Sequence, residues 1–134
     1  EKEGIAHVII GDGNYSEIKG VNIEGFGFKH AVIYGEIGQV ENTGYLIENK
    51  FYFPGDAFHN PGKPVDILAL PVAGPWVKIS MAIDFVKEVR PRIVFSVHDG
   101  MLIPDFRGYA QMAVLRSVPE VEYTTLADGE TKEF

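Results

Sequence analysis

Short runs of β-branched and aromatic residues dominate the first half of the chain, and glycine, asparagine and proline separate them. This pattern predicts strands. The predicted strands cover residues 5–10, 15–18, 21–28, 30–34, 44–48 and 51–53. Because short turns join these runs, we expect an antiparallel meander that includes a tight hairpin around Asn49-Lys50.

The hydrophobic pattern changes after Pro54. A nearly unbroken apolar run over residues 65–70 predicts a strand that is covered on both faces. Apolar residues at helical spacing then predict a helix with Ser80 as its N-cap, which ends at Pro91. A second apolar run over residues 92–97 completes a parallel, right-handed βαβ unit.

A second helix and a last strand, residues 121–126, complete the predicted elements. The apolar stripe of this helix consists of Phe106, Tyr109, Ala110, Ala113 and Val114. We find no internal repeat and no linker in the sequence, so we expect one domain over residues 1–134. Strands combined with βαβ connectivity indicate an α/β (α+β) fold with a mixed sheet.

The composition narrows the classes of function. The 134 residues are 46% hydrophobic, carry a formal net charge of −7 and include no cysteine. We therefore expect an ordinary core, whereas disulfides, thiolate metal sites and a cysteine nucleophile are excluded. An acidic chain without clustered lysine and arginine does not favour nucleic-acid binding. No apolar stretch approaches the ~20 residues of a membrane-spanning helix, so we expect a cytoplasmic protein without membrane insertion.

Three metal-competent side chains lie at ends of predicted strands. Asp56 and His98 each follow an apolar strand, and His30 opens one. In open α/β sheets, the loops beyond strand ends bring side chains to one point. Each residue also has an ordinary interpretation, because a strand-end histidine is often structural and Gly-Asp is a common turn. The combination of the three predicts a site.

Several neighbouring residues keep two interpretations. His59, in a Pro/Gly-rich loop, is either a ligand or a solvated loop residue, whereas His7 is expected to be structural. Asp99 either orients the preceding histidine or begins an Asp-Gly turn. Two loop aromatics either line a pocket or serve as packing plugs; they are Phe58 and Trp76.

Six motifs follow one another in a distinctive order within residues 21–118. They are Gly44-Tyr45-Leu46-Ile47-Glu48, Phe51-Tyr52-Phe53-Pro54-Gly55-Asp56, Val65-Asp66-Ile67-Leu68-Ala69-Leu70-Pro71, Gly74-Pro75, the helix at Ser80, and Arg90-Pro91-Arg92-Ile93-Val94 leading to His98. In this order they resemble the C-terminal half of the metallo-β-lactamase superfamily. Within it, they are most similar to the metal-dependent hydrolases related to ascorbate-6-phosphate lactonase.

This resemblance implies half of an αββα sandwich, with a mixed sheet, helices on one face and a two-metal site that usually holds zinc. By position, Asp56 matches the carboxylate that bridges the metals, and His98 matches the last histidine ligand. His30 matches the histidine between the first motif and the bridging aspartate. The implied cofactor is a divalent metal, zinc before manganese or iron. It would activate water for attack on a lactone, ester or phosphoester of a small-molecule substrate.

The superfamily signature His-x-His-x-Asp-His does not occur in this sequence. Three ligands do not fill two metal shells, so we expect a competent site only if a preceding segment supplies the signature. The alternative is a catalytically inactive half-domain for assembly or ligand binding. A half sandwich exposes one sheet face, so we also expect a homodimer through that face or a complex with the missing N-terminal half. An unrelated α/β domain with ordinary turns is the third interpretation.

Overall fold

The computed structural model describes residues 4, 7–37, 40–127 and 129–134. Seven strands form one sheet, in which each strand lies beside its neighbours in the sequence. The strands are β1 (Tyr15–Ile18), β2 (Val21–Phe26), β3 (Gly44–Ile47), β4 (Phe51–Phe53), β5 (Ile67–Pro71), β6 (Ile93–Val97) and β7 (Glu122–Thr124). The helices are α1 (Ile79–Val89), between β5 and β6, and α2 (Pro104–Ser117), between β6 and β7.

Strand direction divides the sheet into two halves. Strands β1 to β4 pair antiparallel, whereas β4 to β7 pair parallel. These pairings confirm the predicted meander, its hairpin and the βαβ unit. They also give β2, β4, β5 and β6 the same direction, so the carboxyl ends of these four strands lie at one edge of the sheet.

The main core lies between one face of the sheet and the two helices, as expected for a mixed sheet with helices on one face. Its fully buried members are large aliphatic and aromatic side chains from alternate strand positions and from the inner side of each helix. They include Leu46, Tyr52, Leu68, Leu70, Val94, Phe85, Val86 and Val114. Burial of each such side chain contributes about 1.5–3 kcal/mol to folding. The packing of this layer therefore stabilises the position of the sheet edge.

The opposite face of the sheet is also apolar. A groove of about 540 Å³ runs along it, lined by side chains from β2 to β6 and from residues 8 and 10. Phe51 and Phe95 stack there with ring centroids 6.0 Å apart. The strand residues that line this groove alternate with those that enter the core, because successive side chains point to opposite faces.

Two predicted strands differ from the structure. Residues 7–10 adopt no strand, and residues 5–6 lie outside the described residues. Residues 30–34 form only an isolated bridge between Tyr34 and Ile37. The reason is that the N–H groups of His30 and Ala31 bind the carbonyl oxygens of Val40 and Asp56, at 3.0 and 2.9 Å, instead of a neighbouring strand.

The predicted start of α1 is wrong by two residues. Lys78 is the N-cap, and its carbonyl oxygen accepts hydrogen bonds from Met81 and Ala82 at 2.9 and 3.3 Å, so Ser80 lies inside the first turn. In the described residues, neither helix is long and apolar enough to span a membrane.

Only part of the predicted stripe of α2 is buried. Ala110 and Val114 enter the core, whereas Phe106 and Tyr109 are 59% and 52% exposed. The core meets this helix only from Ala110 onward, so its first turn projects beyond the packed layer.

Candidate metal centre

The three predicted metal ligands all lie just beyond the same edge of the sheet. His30 follows β2, Asp56 follows β4 and His98 directly follows β6. These strands run in the same direction, so the loops that leave them share one side of the molecule. We call His30, Asp56 and His98 the ligand cluster.

Asp56 lies between the two histidines. Its Oδ1 is 3.2 Å from Nε2 of His98, and its Oδ2 is 3.8 Å from Nε2 of His30. The first distance is close to that of a hydrogen bond, whereas the second is too long for one. Each carboxylate oxygen therefore faces a different imidazole, and the structure brings all three sequence-predicted residues together.

The His–Asp separations are compatible with donors that share a metal. A metal that lies about 2.0–2.2 Å from a nitrogen and an oxygen donor holds those donors roughly 3–4 Å apart, and both separations, 3.2 and 3.8 Å, fall in this range. Over the described part of the chain, no three His, Asp or Glu side chains form a group that could hold a metal ion. The described residues therefore provide two His–Asp pairs with a common carboxylate and no more complete set of donors.

The imidazole of His30 has a fixed orientation. Its Nδ1–H donates to the carbonyl oxygen of Ala31, so the lone pair of Nε2 points toward Asp56. Metal-binding histidines usually donate their other ring N–H to a carbonyl or carboxylate in this way. The side chain of His30 is 14% exposed, whereas those of Asp56 and His98 are 40% and 36% exposed. The cluster is therefore accessible from the carboxylate side.

The side chain of Asn42 holds the turn that carries Asp56. Its Oδ1 accepts the backbone N–H of Asp56 at 2.8 Å, and its Nδ2 donates to the carbonyl oxygen of Pro54 at 3.0 Å. A β-carbon on Gly55, which has φ of +70°, would overlap Oδ1 of Asn42. Sequence reasoning missed Asn42, because only the pairing of β3 with β4 brings it beside this turn.

The backbone of His98 is in the left-handed region, with φ of +58°. This conformation costs a non-glycine residue about 1–2 kcal/mol and is typical of functional sites. The carboxylate of the next residue, Asp99, lies 3.6 Å from Nε of Arg107. The carbonyl oxygen of Asp99 accepts the N–H of Leu102 at 2.9 Å, so of the two interpretations of Asp99 the structure supports the first residue of a turn rather than one that orients His98.

Tyr52 supports the loop beneath the cluster. It is fully buried, and its hydroxyl donates to the carbonyl oxygen of His59 at 2.7 Å. Burial, reinforced by the charge of Asp12, raises the pKa of this hydroxyl far above its ordinary value, so it stays a donor. The ring of His59 packs against Gly27 and is exposed, so we find it outside the ligand cluster.

Comparison with protein families identifies the family of this chain. Residues 2–98 match the family model described as the beta-lactamase superfamily domain. The chain belongs to this superfamily. Membership confirms the resemblance carried by the six sequence motifs, and it supports a divalent metal as the cofactor of the family.

Solved structures of several other proteins share the fold of this chain. Igni18, a metallo hydrolase from the archaeon Ignicoccus hospitalis KIN4/I, has a TM-score of 0.71 and 20% identity, over 99% of this chain and 64% of that chain. A protein from Parabacteroides distasonis ATCC 8503, described as a metal-dependent hydrolase, has a TM-score of 0.67 and 20% identity, over 92% and 59%. A variant of the β-hydroxylase CmlA matches with a TM-score of 0.60 and 14% identity, over 90% and 32%. Since this fold occurs with different reactions, it does not by itself fix the chemistry.

A curated relative is more similar in sequence. Protein Rv0786c of Mycobacterium tuberculosis (strain ATCC 25618 / H37Rv) is 40% identical over 93 residues, which are 66% of this chain and 44% of that protein. The chain thus spans less than half of this relative and less than two thirds of each solved structure named above.

Proposed function

We propose that this chain forms part of the metal centre of a metal-dependent hydrolase, in which Asp56 is shared between two metal positions. His98 and His30 would each bind one of these positions. The proposal rests on the position of the Asp56 carboxylate. Each of its two oxygens faces the imidazole nitrogen of a different histidine. Imidazole nitrogen and carboxylate oxygen are the ligands that zinc takes when thiolates are absent.

A bound divalent metal supplies Lewis acidity and a water whose pKa is near ~7, which suits hydrolysis of a lactone, ester or phosphoester. The chain's own part is to hold the donors in place. Ala31 fixes the ring of His30, and Asn42 fixes the turn of Asp56. We propose zinc as the metal, with manganese or iron as the alternatives.

The proposal requires further ligands. Each metal position has two donors in the ligand cluster, whereas zinc takes four. We propose that the remaining donors lie on a second layer that packs over the apolar face of the sheet. The apolar face extends to Phe53 and Val97, at the ends of β4 and β6. Asp56 and His98 follow these two residues closely, so a layer that covers the face would reach the sheet edge at which the ligand cluster lies.

Metal binding by the purified chain tests the proposed ligands. We expect isothermal titration calorimetry and metal analysis by mass spectrometry to detect zinc, and Asp56→Asn to weaken binding at least tenfold, because both donor pairs lose their shared charge. The matched control is Asp84→Asn, which neutralises an exposed aspartate of α1 and should leave zinc affinity unchanged. Equal zinc affinity of wild type and Asp56→Asn would refute the ligand assignment.

A non-catalytic role in assembly is the second candidate, favoured by the apolar face. In the isolated chain we propose that a second copy covers this face, since a two-fold dimer is the commonest way to close such a surface. Light scattering should then give a dimer at micromolar concentration. Phe95→Asp should give a monomer, whereas Lys87→Glu on α1 should not change the mass. A monodisperse wild-type monomer would contradict the proposed homodimer. A heterodimer with a separate chain that carries the N-terminal half would also contradict it and would take its place.

A further inference from the structure

One polar group beside the ligand cluster has no partner. Trp76 is only 6% exposed, and its indole Nε1–H makes no hydrogen bond to any described residue. Buried donors in folded proteins are almost always paired. An unpaired, buried N–H beside a candidate site therefore indicates that the ligand supplies the hydrogen-bond acceptor.

The indole ring of Trp76 contacts His30, and its N–H and His98 both border the position of a β-carbon on Gly74. The ring of Trp76 meets that of His30 edge to face, with centroids 6.0 Å apart and planes at 73°. A β-carbon placed on Gly74 would lie 3.2 Å from Nε1 of Trp76 and 3.5 Å from Cε1 of His98. We call this space, bounded by the indole N–H and His98, the Gly74 notch.

The absence of a side chain at Gly74 leaves the Gly74 notch free of a β-carbon. Gly74 has φ of +143°, which side-chain-bearing residues rarely adopt, and any β-carbon there would occupy the notch itself. The indole is also held in place from behind. Phe58 packs against it edge to face at 5.0 Å, and the N–H of Val77 donates to the carbonyl oxygen of Gly74 at 3.1 Å. Of the two interpretations of Trp76, packing plug and pocket wall, the structure supports the packing plug, because the ring is buried against Phe58.

We propose that Trp76 binds the substrate directly, its Nε1–H donating a hydrogen bond to an anionic oxygen that enters the Gly74 notch beside His98. The location of the ligand rests on the proposed function. An indole N–H is a donor only, so its partner must be an acceptor, and hydrogen bonds to ionised acceptors are the strong ones. The matching substrate class carries a carboxylate or a phosphoryl group. Because the indole N–H is buried in the ligand-free arrangement, the oxygen enters with a small displacement of the loop around Gly74.

The indole resonance of the full chain provides a direct test. Trp76 is the only tryptophan, so a ¹⁵N-labelled sample has a single indole N–H signal. We would titrate this sample with inorganic phosphate and, separately, with acetate, each with and without zinc. A saturable downfield shift of the indole proton supports the proposal, and the probe that causes it distinguishes phosphoryl from carboxylate ligands. An indole signal that neither probe moves, under either condition, overturns it.

The variant Trp76→Phe keeps an aromatic ring at this position, but it removes the donor together with part of the volume of the indole. We expect it to weaken binding of the effective probe roughly tenfold or more, which is the usual effect of losing a hydrogen bond to a charged group. Its thermal midpoint should fall, because the smaller ring leaves a cavity at this buried position, so probe binding is compared well below the midpoint of the variant. Unchanged probe affinity in Trp76→Phe would refute the role of the N–H. Zinc binding, measured in the same samples, tests the proposed metal centre independently of the indole response.

Discussion

Replacing Asn42 with alanine should disturb the candidate metal centre without changing any member of the ligand cluster. The Asn42 side chain joins the two ends of the turn that carries Asp56, through the Asp56 N–H at 2.8 Å and the Pro54 carbonyl oxygen at 3.0 Å. Asn42→Ala removes both hydrogen bonds and leaves a partly buried N–H and a partly buried carbonyl group to find other partners.

The expected loss of stability follows from these two bonds. Each contributes about 1 kcal/mol, so the free energy of unfolding should fall by about 2 kcal/mol. For a chain of 134 residues, this corresponds to a decrease of roughly 6–10 °C in the thermal midpoint. Residues that orient a metal ligand typically change metal affinity 10- to 100-fold, so zinc affinity should fall within that range.

Calorimetry of unfolding and of zinc binding would measure both effects. Asn60→Ala is the matched control, because Asn60 also makes two side-chain hydrogen bonds, to the N–H of Gly62 at 2.8 Å and to Glu88 at 2.9 Å, but at the surface. We expect this control to retain zinc affinity. If Asn42→Ala and Asn60→Ala had the same effect on zinc binding, Asn42 would have no specific role in positioning Asp56.

Three further predictions concern stability. Because burial raises the pKa of Tyr52, wild type should lose unfolding free energy as the pH rises above about 10, where an unfolded tyrosine ionises. The loss of unfolding free energy should be smaller in Tyr52→Phe. If the unfolding free energy of wild type and variant fell equally steeply with pH above about 10, this prediction would be contradicted. The backbone of His98 is in the left-handed region, so His98→Gly should be more stable than His98→Ala by about 1 kcal/mol in urea unfolding. The reverse order of stability would refute backbone strain at this position. Gly25→Ala should destabilise the protein strongly, because its β-carbon would overlap the carbonyl oxygen of Gly11, whereas Gly108→Ala in α2 should stabilise it by about 0.5–1 kcal/mol. Similar thermal midpoints for these two variants would contradict the packing at Gly25.

The sequence was most informative where structure depends on local periodicity. The apolar runs predicted β5 and β6, and the helical spacing of Ala82, Phe85 and Val86 predicted the buried side of α1. The segment around His30 was predicted as a strand and is not one. Its backbone N–H groups bind Val40 and Asp56, partners that lie 10 and 25 residues further along the chain. No local pattern contains that information.

The candidate site was predictable only in part, for the same reason. Asp56 and His98 follow apolar strands, so their positions at one edge of a parallel sheet could be anticipated. The contribution of Asn42 could not, because it depends on the register of the β3–β4 hairpin. The surroundings of the unpaired Trp76 indole could not be predicted either, because they depend on the backbone conformation of Gly74. A glycine in the sequence allows this conformation but also allows many others.

If the proposed metal centre is correct, the apolar sheet face and the donors that the centre lacks have a common explanation. Val97 lines the groove on that face and His98 is the next residue, so a layer that packs on the groove ends beside the ligand cluster. The cluster has two donors for each metal position, and such a layer could supply the others from the same edge. Burial of the face and completion of the metal shells should therefore be linked, with tighter metal binding when the face is covered. If the layer that covers the face supplies those donors, zinc should bind more weakly to monomeric Phe95→Asp than to assembled wild type, although Phe95 contacts neither Asp56 nor the histidines through any described interaction. Equal zinc affinities would show that assembly covers the face without completing the metal centre, as in the non-catalytic candidate.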